Sequence, residues 1–444
     1  MQSVLQRLKK NNNHSKEDIV LYRSAAVSMG IKAFAIGAGF LLNWVFARYL
    51  GKEGVGKFFL VFGLVTVLSM IGKLGFDRTV LRFISAHASL NQWGKIKGVQ
   101  FFAFKRVGIT TLALSVTLFF LAKTIAVYWF KQPELENLIK IFVFGIAPLA
   151  IIQNTSESIK GAGKVQLAQI LYDALLPALA VLIFICWPQK IAETSVFAYL
   201  TAVAIVFIVT QTAWRIIINK HTAPREKVDE KILVKSALPI FWSNLFQQII
   251  LWMPTFMLGI WASAGDVGLF EVARRLAALT AVFQAVFNSN LAPRISAFYV
   301  KGEIEKIQDM CAKSTLFVGL LATPVFLAFI LFPNLFVGLF GKEFSQAAPL
   351  LSIMAVGQLY NVLMGPVGIS LMMCGREQKI RNAMIIAACC LLIMNCILIP
   401  KMGALGAAIT SCLVLIIQNT VAGIYLWREL KIVTIPFVTK WKKI

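Results

Sequence analysis

GDVGLFEVARRLAALTAVFQAVFNSNLAPR, residues 265–294, decides how the rest of the chain is read, because it has the makings of a membrane-spanning helix and yet contains Glu271, Arg274 and Arg275. Gly268 to Asn290 is long enough to cross a bilayer, which takes about 20 residues. Arg274 and Arg275 lie six and seven residues in, so their backbones sit roughly 9–10 Å below the start of the helix. A charge at that depth costs at least about 2.5 kcal/mol unless it faces protein or water. Glu271 stands three and four positions before the arginines and can pair with either on one helical face, which leaves one cation unmatched. Two readings stay open. Both arginines snorkel to the headgroups along their stems, or at least one guanidinium faces a wet cavity and awaits an anion. Adjacent helical residues point about 100° apart and do not face the same way, which favours the second reading.

Composition sets the class. With 58% hydrophobic residues, 14% charged residues and a mean hydropathy of +0.76, the 444-residue chain exceeds what a soluble domain buries, so it reads as a polytopic membrane protein. The net charge of +24 points to cytoplasmic loops against anionic lipid rather than to nucleic acid. Cys186, Cys311, Cys374, Cys389, Cys390, Cys396 and Cys412 fall in or beside apolar segments without a CxxC spacing, which implies neither disulfides nor a metal site. The polar start, MQSVLQRLKKNNNHSKED, has no cleavage signature and reads as a cytoplasmic tail.

Apolar windows near residues 24–47, 57–76, 103–122, 138–159, 166–187, 195–218, 233–261, 268–290, 314–339, 347–373, 382–399 and 404–427 make twelve spans. If the tail is cytoplasmic, 31 of the 44 Lys and Arg fall on the inner side and 9 on the outer, which places both termini inside. The external loops are short, so function has to reside within the membrane.

Sliding the chain against itself reveals a repeat. Val55-Gly56-Lys57-Phe58 matches Val267-Gly268-Leu269-Phe270, Arg82 matches Arg294, Gly145 matches Gly357, and Gly163 with Gln166 matches Gly375 with Gln378, every pair 212 residues apart. Six spans precede the basic loop 215–235 and six follow it, so the copies share one orientation. The expected fold is therefore all-α: twelve transmembrane helices in two six-helix lobes related by a parallel pseudo-two-fold, with the substrate path between them. The expected segments are a tail, 1–23, an N-lobe, 24–222, a C-lobe, 223–427, and a carboxyl-terminal tail, 428–444.

Other buried polar groups are candidates within that plan. Lys32 lies about 12 Å into the first span, too deep for easy snorkelling, which favours a cavity-facing cation. Lys73 has Asp77 one turn on, which suggests a local ion pair at the headgroups over a site. Asn244, Gln247 and Gln248 share a face of the seventh span beside Pro239 and Pro254, open to interhelical hydrogen bonding or to sugar contact. Glu157 and Asp173 flank Lys160 and Lys164; they pair with these lysines, or one of them, like Glu271, is a coupling-ion or proton site. His14, His87 and His221 lie in loops, and Gly161-Ala-Gly-Lys164 has no following Ser or Thr to complete a phosphate loop. No enzyme, cofactor or metal site is expected.

The chain also resembles the polysaccharide or oligosaccharide flippases of bacterial O-antigen and capsule assembly, in the superfamily of multidrug-and-toxin extruders and lipid II flippases. The residues that carry it are Ala47-Arg-Tyr-Leu-Gly-Lys-Glu-Gly-Val-Gly-Lys-Phe58, Gly75-Phe-Asp77 and Arg82-Phe-Ile-Ser85 in the first half. In the second half they are Val267-Gly-Leu-Phe270, Ala273-Arg-Arg-Leu276 and Pro293-Arg-Ile-Ser296. The resemblance implies a two-lobed, V-shaped carrier that moves an undecaprenyl-pyrophosphate-linked oligosaccharide from the cytoplasmic to the periplasmic leaflet of the bacterial inner membrane by alternating access. It leaves room for a glycan polymerase or assembly proteins as further partners. Lipid II flippases carry cavity cations on the first, second and eighth helices, where Lys32, Lys73 and Arg275 stand here, with lysines in place of the expected arginines on the first two. The pyrophosphate would then be held by Arg274 or Arg275 with Lys32 and Lys73, and the glycan by Asn244, Gln247 and Gln248. The competing expectation is a cation-coupled multidrug extruder of the same fold.

Overall fold

The computed structural model describes residues 2–435, and their side chains from Val27 onward except at 281–283, 285–286 and 289–290. The expected tails therefore lie partly outside the described residues. The described chain is helical throughout, without a strand. Its first half runs α1 (Gln2–Gly72), α2 (Phe76–Ser89), α3 (Trp93–Thr124), α4 (Leu135–Phe142), α5 (Ile146–Gly161), α6 (Val165–Gln169), α7 (Leu175–Cys186) and α8 (Ala192–Asn219). The second half runs α9 (Glu230–Trp261), α10 (Ala264–Ala278), α11 (Ala281–Val300), α12 (Ile304–Leu331), α13 (Pro333–Gly338), α14 (Ala348–Met364), α15 (Val367–Met373), α16 (Glu377–Met402) and α17 (Ala404–Leu430).

Among the described residues nine helices are long and apolar enough to cross a membrane; the doubled first one, with α9 and the pair α10–α11, brings the crossings to twelve. The apolar part of α1, Val27–Gly72, is 46 residues long, twice what one crossing needs. It is broken at Gly51, whose φ of 67° and ψ of −179° leave the helical region. The chain doubles back there: the rings of Phe46 and Phe58 lie 4.9 Å apart, whereas twelve residues of straight helix would separate them by about 18 Å. The least apolar crossings are α9, with Asn244, Gln247 and Gln248, and the pair α10–α11, with the buried charges.

Two spans read as continuous helix are in fact broken. The eighth is interrupted at Leu279–Thr280, where the dihedrals stay right-handed but the helical hydrogen bonding lapses for a turn and the Thr280 hydroxyl bonds back to the Ala277 carbonyl at 2.6 Å. The tenth divides at Gly365–Pro366, where Gly365 has φ 74° and a methyl group in place of its hydrogen would lie 2.0 Å from the Thr315 hydroxyl. Pro366 cannot donate the next helical hydrogen bond. Pro239 and Pro254, in contrast, stay inside an unbroken α9.

The 212-residue repeat is visible as packing. A methyl group on Gly56 would lie 1.7 Å from the Ala264 carbonyl oxygen, and one on Gly268 2.0 Å from the Lys52 carbonyl oxygen. Residues 52 and 56 are the repeat partners of 264 and 268, so the two copies meet by the same contact made twice, as at an isologous two-fold interface. The second glycine pair behaves likewise. A methyl group on Gly145 would lie 3.0 Å from the Leu200 side chain and one on Gly357 3.0 Å from the Cys412 backbone, and 200 and 412 are again partners. Gly163 and Gly375 both close their turns in the left-handed region, at φ 81° and 70°.

One apolar core spans both halves, joining Phe46, Phe58 and Phe142 to Phe270, Phe326 and Phe340. Toward the end that carries the basic loops, the core separates into one cluster around Phe76, Ile96 and Ile159 and another around Ile295, Cys311 and Leu371. Hydrogen bonds close the opposite end: Lys52 N–H to Glu343 at 3.3 Å, Lys52 Nζ to Gln346 at 3.2 Å, and Trp44 to the Leu339 carbonyl at 2.9 Å.

Because the two copies meet backbone to backbone, Gly56→Val and Gly268→Val should each lower the thermal unfolding midpoint of detergent-purified protein markedly, overpacking costing about 1–3 kcal/mol or more. Gly108→Val, where nothing lies within 4 Å, should change it little.

Candidate functional site

The site begins with how α10 starts. Ser263 caps it: its hydroxyl accepts from Asp266 N–H at 3.1 Å, and the Asp266 carboxylate accepts from Ser263 N–H at 3.2 Å. This reciprocal cap fixes the helix register. Two turns later the register delivers Glu271 to a position with no exposed surface. One Glu271 oxygen accepts from Thr255 of α9 at 2.6 Å, and the other accepts from Arg274 at 2.6 Å and faces Arg275 Nε at 3.3 Å.

A single carboxylate therefore holds both arginines, and the cluster carries one net positive charge. The guanidiniums converge on Glu271 and then face apart. Arg274 lies over the Trp252 ring at 5.7 Å, and Arg275 lies over Phe59 at 4.2 Å. Both remain engaged with Glu271.

Arg275 lines a cavity of about 500 Å³ whose other walls come from the first half of the chain. Lys32 and Asp173 stand in the same cavity, with Phe62, Tyr172 and Tyr199 along its side. Lys32 is exposed. Asp173 forms no ion pair with another described side chain and opens onto the cavity instead. By formal charge the cavity holds two cations and one anion, Lys32, Arg275 and Asp173, so an entering anion meets a net attraction.

Other candidate residues lie elsewhere. Lys73 is 4% exposed and bonds to Asp77, at 3.4 Å, and to Gln153, outside the cavity lining. Glu157 pairs with Lys160 at 2.7 Å. Asn244, Gln247 and Gln248 on α9 are not among the cavity-lining residues, and the Gln248 carbonyl oxygen is buried without a partner. Among the described residues, no three His, Cys, Asp or Glu side chains converge as a metal site, and all seven cysteines are free.

Sequence reasoning missed the aromatic wall. The signal was present in the repeat: 212 residues before Glu271, Arg274 and Arg275 stand Phe59, Phe62 and Gly63. Where one half of the chain puts its charges, the other puts rings.

Residues 21–299 match the model of the polysaccharide biosynthesis protein family, and residues 239–400 match that of the MatE family. A relative is the probable low-salt glycan biosynthesis flippase Agl15 of Haloferax volcanii, 24% identical over 414 residues, which span 91% of this chain and 83% of that protein. Among solved structures, the lipid II flippase MurJ in an inward closed conformation superposes with a TM-score of 0.71 at 14% identity, covering 92% of this chain and 87% of that one. An inward-facing multidrug resistance MATE transporter of the MOP superfamily superposes with a TM-score of 0.69 at 15% identity, covering 94% and 99%. These structural likenesses establish the shared two-lobed fold.

Removing Glu271 would leave two neighbouring guanidiniums without their shared counter-ion. Glu271→Ala should destabilise the purified protein by about 3 kcal/mol, while Thr255→Val should cost about 1 kcal/mol. Thermal unfolding in detergent measures both, and equal effects would contradict the shared-carboxylate geometry.

Proposed function

The chain belongs to the polysaccharide biosynthesis protein family, and we propose that it is a flippase for a lipid-linked oligosaccharide whose diphosphate is held at Arg275. The observation that carries this reading is that Arg275, on a helix of the second half, projects into a cavity walled by the first half. An anion bound there touches both lobes at their seam, so its binding energy acts on their relative position, as alternating access requires. The arginine fork meets two oxygens of a diphosphate at once. A unit charge 4 Å away contributes about 4 kcal/mol at an effective dielectric of 20. Lys32 adds a second cation in the same cavity, while Arg274 stays with Glu271 and tunes its partner. Lys73 serves the helix bend with Asp77.

In this reading the basic end of the bundle is cytoplasmic, with both termini inside and the protein in the cytoplasmic membrane. The lobes are 24–222 and 223–427, flanked by tails 1–23 and 428–444. The substrate is an undecaprenyl-pyrophosphate-linked oligosaccharide, or its counterpart on another polyprenyl carrier. The head group enters between the lobes from the basic end, where their cores are separate, and its lipid tail stays in the bilayer. Release follows opening of the end closed by Lys52, Glu343 and Gln346. The protein positions the head group and catalyses no covalent change.

A second reading, a cation-coupled extruder, is favoured by one observation, the Asp173 carboxylate in the cavity. The two readings separate on mutation. In a strain lacking its own copy, Arg275→Ala should abolish surface glycan at normal protein level, Arg275→Lys should retain part of it, Lys32→Ala should impair it severely and Lys73→Ala mildly. An extruder would instead tolerate Arg275→Ala and lose drug efflux on Asp173→Asn. Parental export by Arg274→Ala, Arg275→Ala and the double variant would overturn the anion site.

A further inference from the structure

The charged face of α10 has an aromatic counterpart across the seam, and the function proposed above leaves that counterpart without a task. We propose that Phe62, Tyr172 and Tyr199 form a sugar subsite that takes the pyranose directly attached to the diphosphate. This rests on the reading of Arg275 as the diphosphate partner.

The wall is rigid. Phe62 stacks on Phe58 at 5.5 Å with 19° between the rings, and Tyr199 meets Phe62 edge-on at 5.3 Å and Phe142 at 5.6 Å. Edge-to-face and offset contacts of this kind hold rings in place. Phe58 and Phe59 are almost wholly covered by neighbours, whereas Phe62 and Tyr172 remain half-buried beside the cavity. The hydroxyls of Tyr172 and Tyr199 make no hydrogen bond to another described residue and are not among the enclosed unpaired polar atoms, and both tyrosines line the cavity.

A pyranose suits this arrangement. One of its faces is lined with C–H groups made slightly positive by the neighbouring oxygens, and that face packs on the electron-rich face of an aromatic ring. Its rim carries hydroxyls that both donate to and accept from phenols. Arg275 sits over Phe59 at 4.2 Å, so the boundary between guanidinium and aromatic wall reproduces the boundary between phosphate and sugar in the ligand. A cavity of about 500 Å³ is of ligand-binding size; it accepts the first sugars and leaves a longer glycan to extend toward the basic end. Aromatic walls also bind lipophilic cations, but Lys32 and Arg275 outweigh Asp173 here and disfavour that occupant.

The test uses purified full-length protein and three probes: farnesyl diphosphate, farnesyl diphosphate carrying one pyranose, and tetraphenylphosphonium. The sugar-bearing lipid should bind more tightly than the bare diphosphate. Phe62→Leu should erase that difference, lowering affinity for the sugar-bearing lipid about fivefold with little change for farnesyl diphosphate, and Phe62→Tyr should restore it. Tyr199→Phe should weaken the sugar-bearing lipid alone. The proposal is overturned if Phe62→Leu weakens both lipids equally or neither, or if tetraphenylphosphonium binds more tightly than the sugar-bearing lipid and depends on Phe62. If Arg275→Ala leaves farnesyl diphosphate binding unchanged, the diphosphate reading fails separately, while the sugar difference still reports on the subsite.

Discussion

One carboxylate without exposed surface, Glu271, holds two guanidiniums at the seam between two halves of the chain, and the arrangement of the centre follows from it. Two adjacent arginines inside a membrane would each carry a heavy desolvation cost. Glu271 offsets most of it because positions three and four residues on both reach back to the same group. The sharing has a geometric consequence. Each guanidinium commits one edge to Glu271 and turns the rest of its surface outward, Arg274 to Trp252 and Arg275 to Phe59 and the cavity. With one carboxylate against two guanidiniums, the cluster retains one net positive charge.

The seam itself depends on glycine. Gly56 and Gly268 admit the carbonyls of Ala264 and Lys52 to distances that no side chain permits, so α1 and α10 approach by backbone. Near this axis the halves are alike, and one helical turn further on they diverge: rings on one side, charges on the other. Symmetry in the glycines sets the backbone contact between the halves, and asymmetry in the following turn gives the cavity a charged side and an aromatic side. Both features fit an amphiphilic head group that joins a diphosphate to a sugar.

Much of this was legible in the sequence because the bilayer imposes it. Apolar stretches of about 20 residues mark the crossings, and the repeat shows through the glycines since close backbone approach tolerates nothing larger. The interruption at Leu279–Thr280 was hidden, as neither glycine nor proline marks it and both residues keep right-handed helical dihedrals. The Gly365–Pro366 dipeptide did mark the other break, yet the apolar run continues through it. The cavity wall was hidden for a different reason: a phenylalanine in a spanning helix looks the same whether it meets lipid, core or ligand. Asn244, Gln247 and Gln248 illustrate the converse, since their shared face was readable but the neighbour it meets was not.

The central claim is that the diphosphate is bound by Arg275 at the seam. An electron cryo-microscopy map of the full-length protein with farnesyl diphosphate tests it most directly. The account predicts phosphate density within hydrogen-bonding distance of the Arg275 guanidinium, inside the cavity shared with Lys32. Density confined to the crevice of Arg48, Lys52 and Lys342 at the closed end, with Arg275 still engaged only by Glu271, would contradict it.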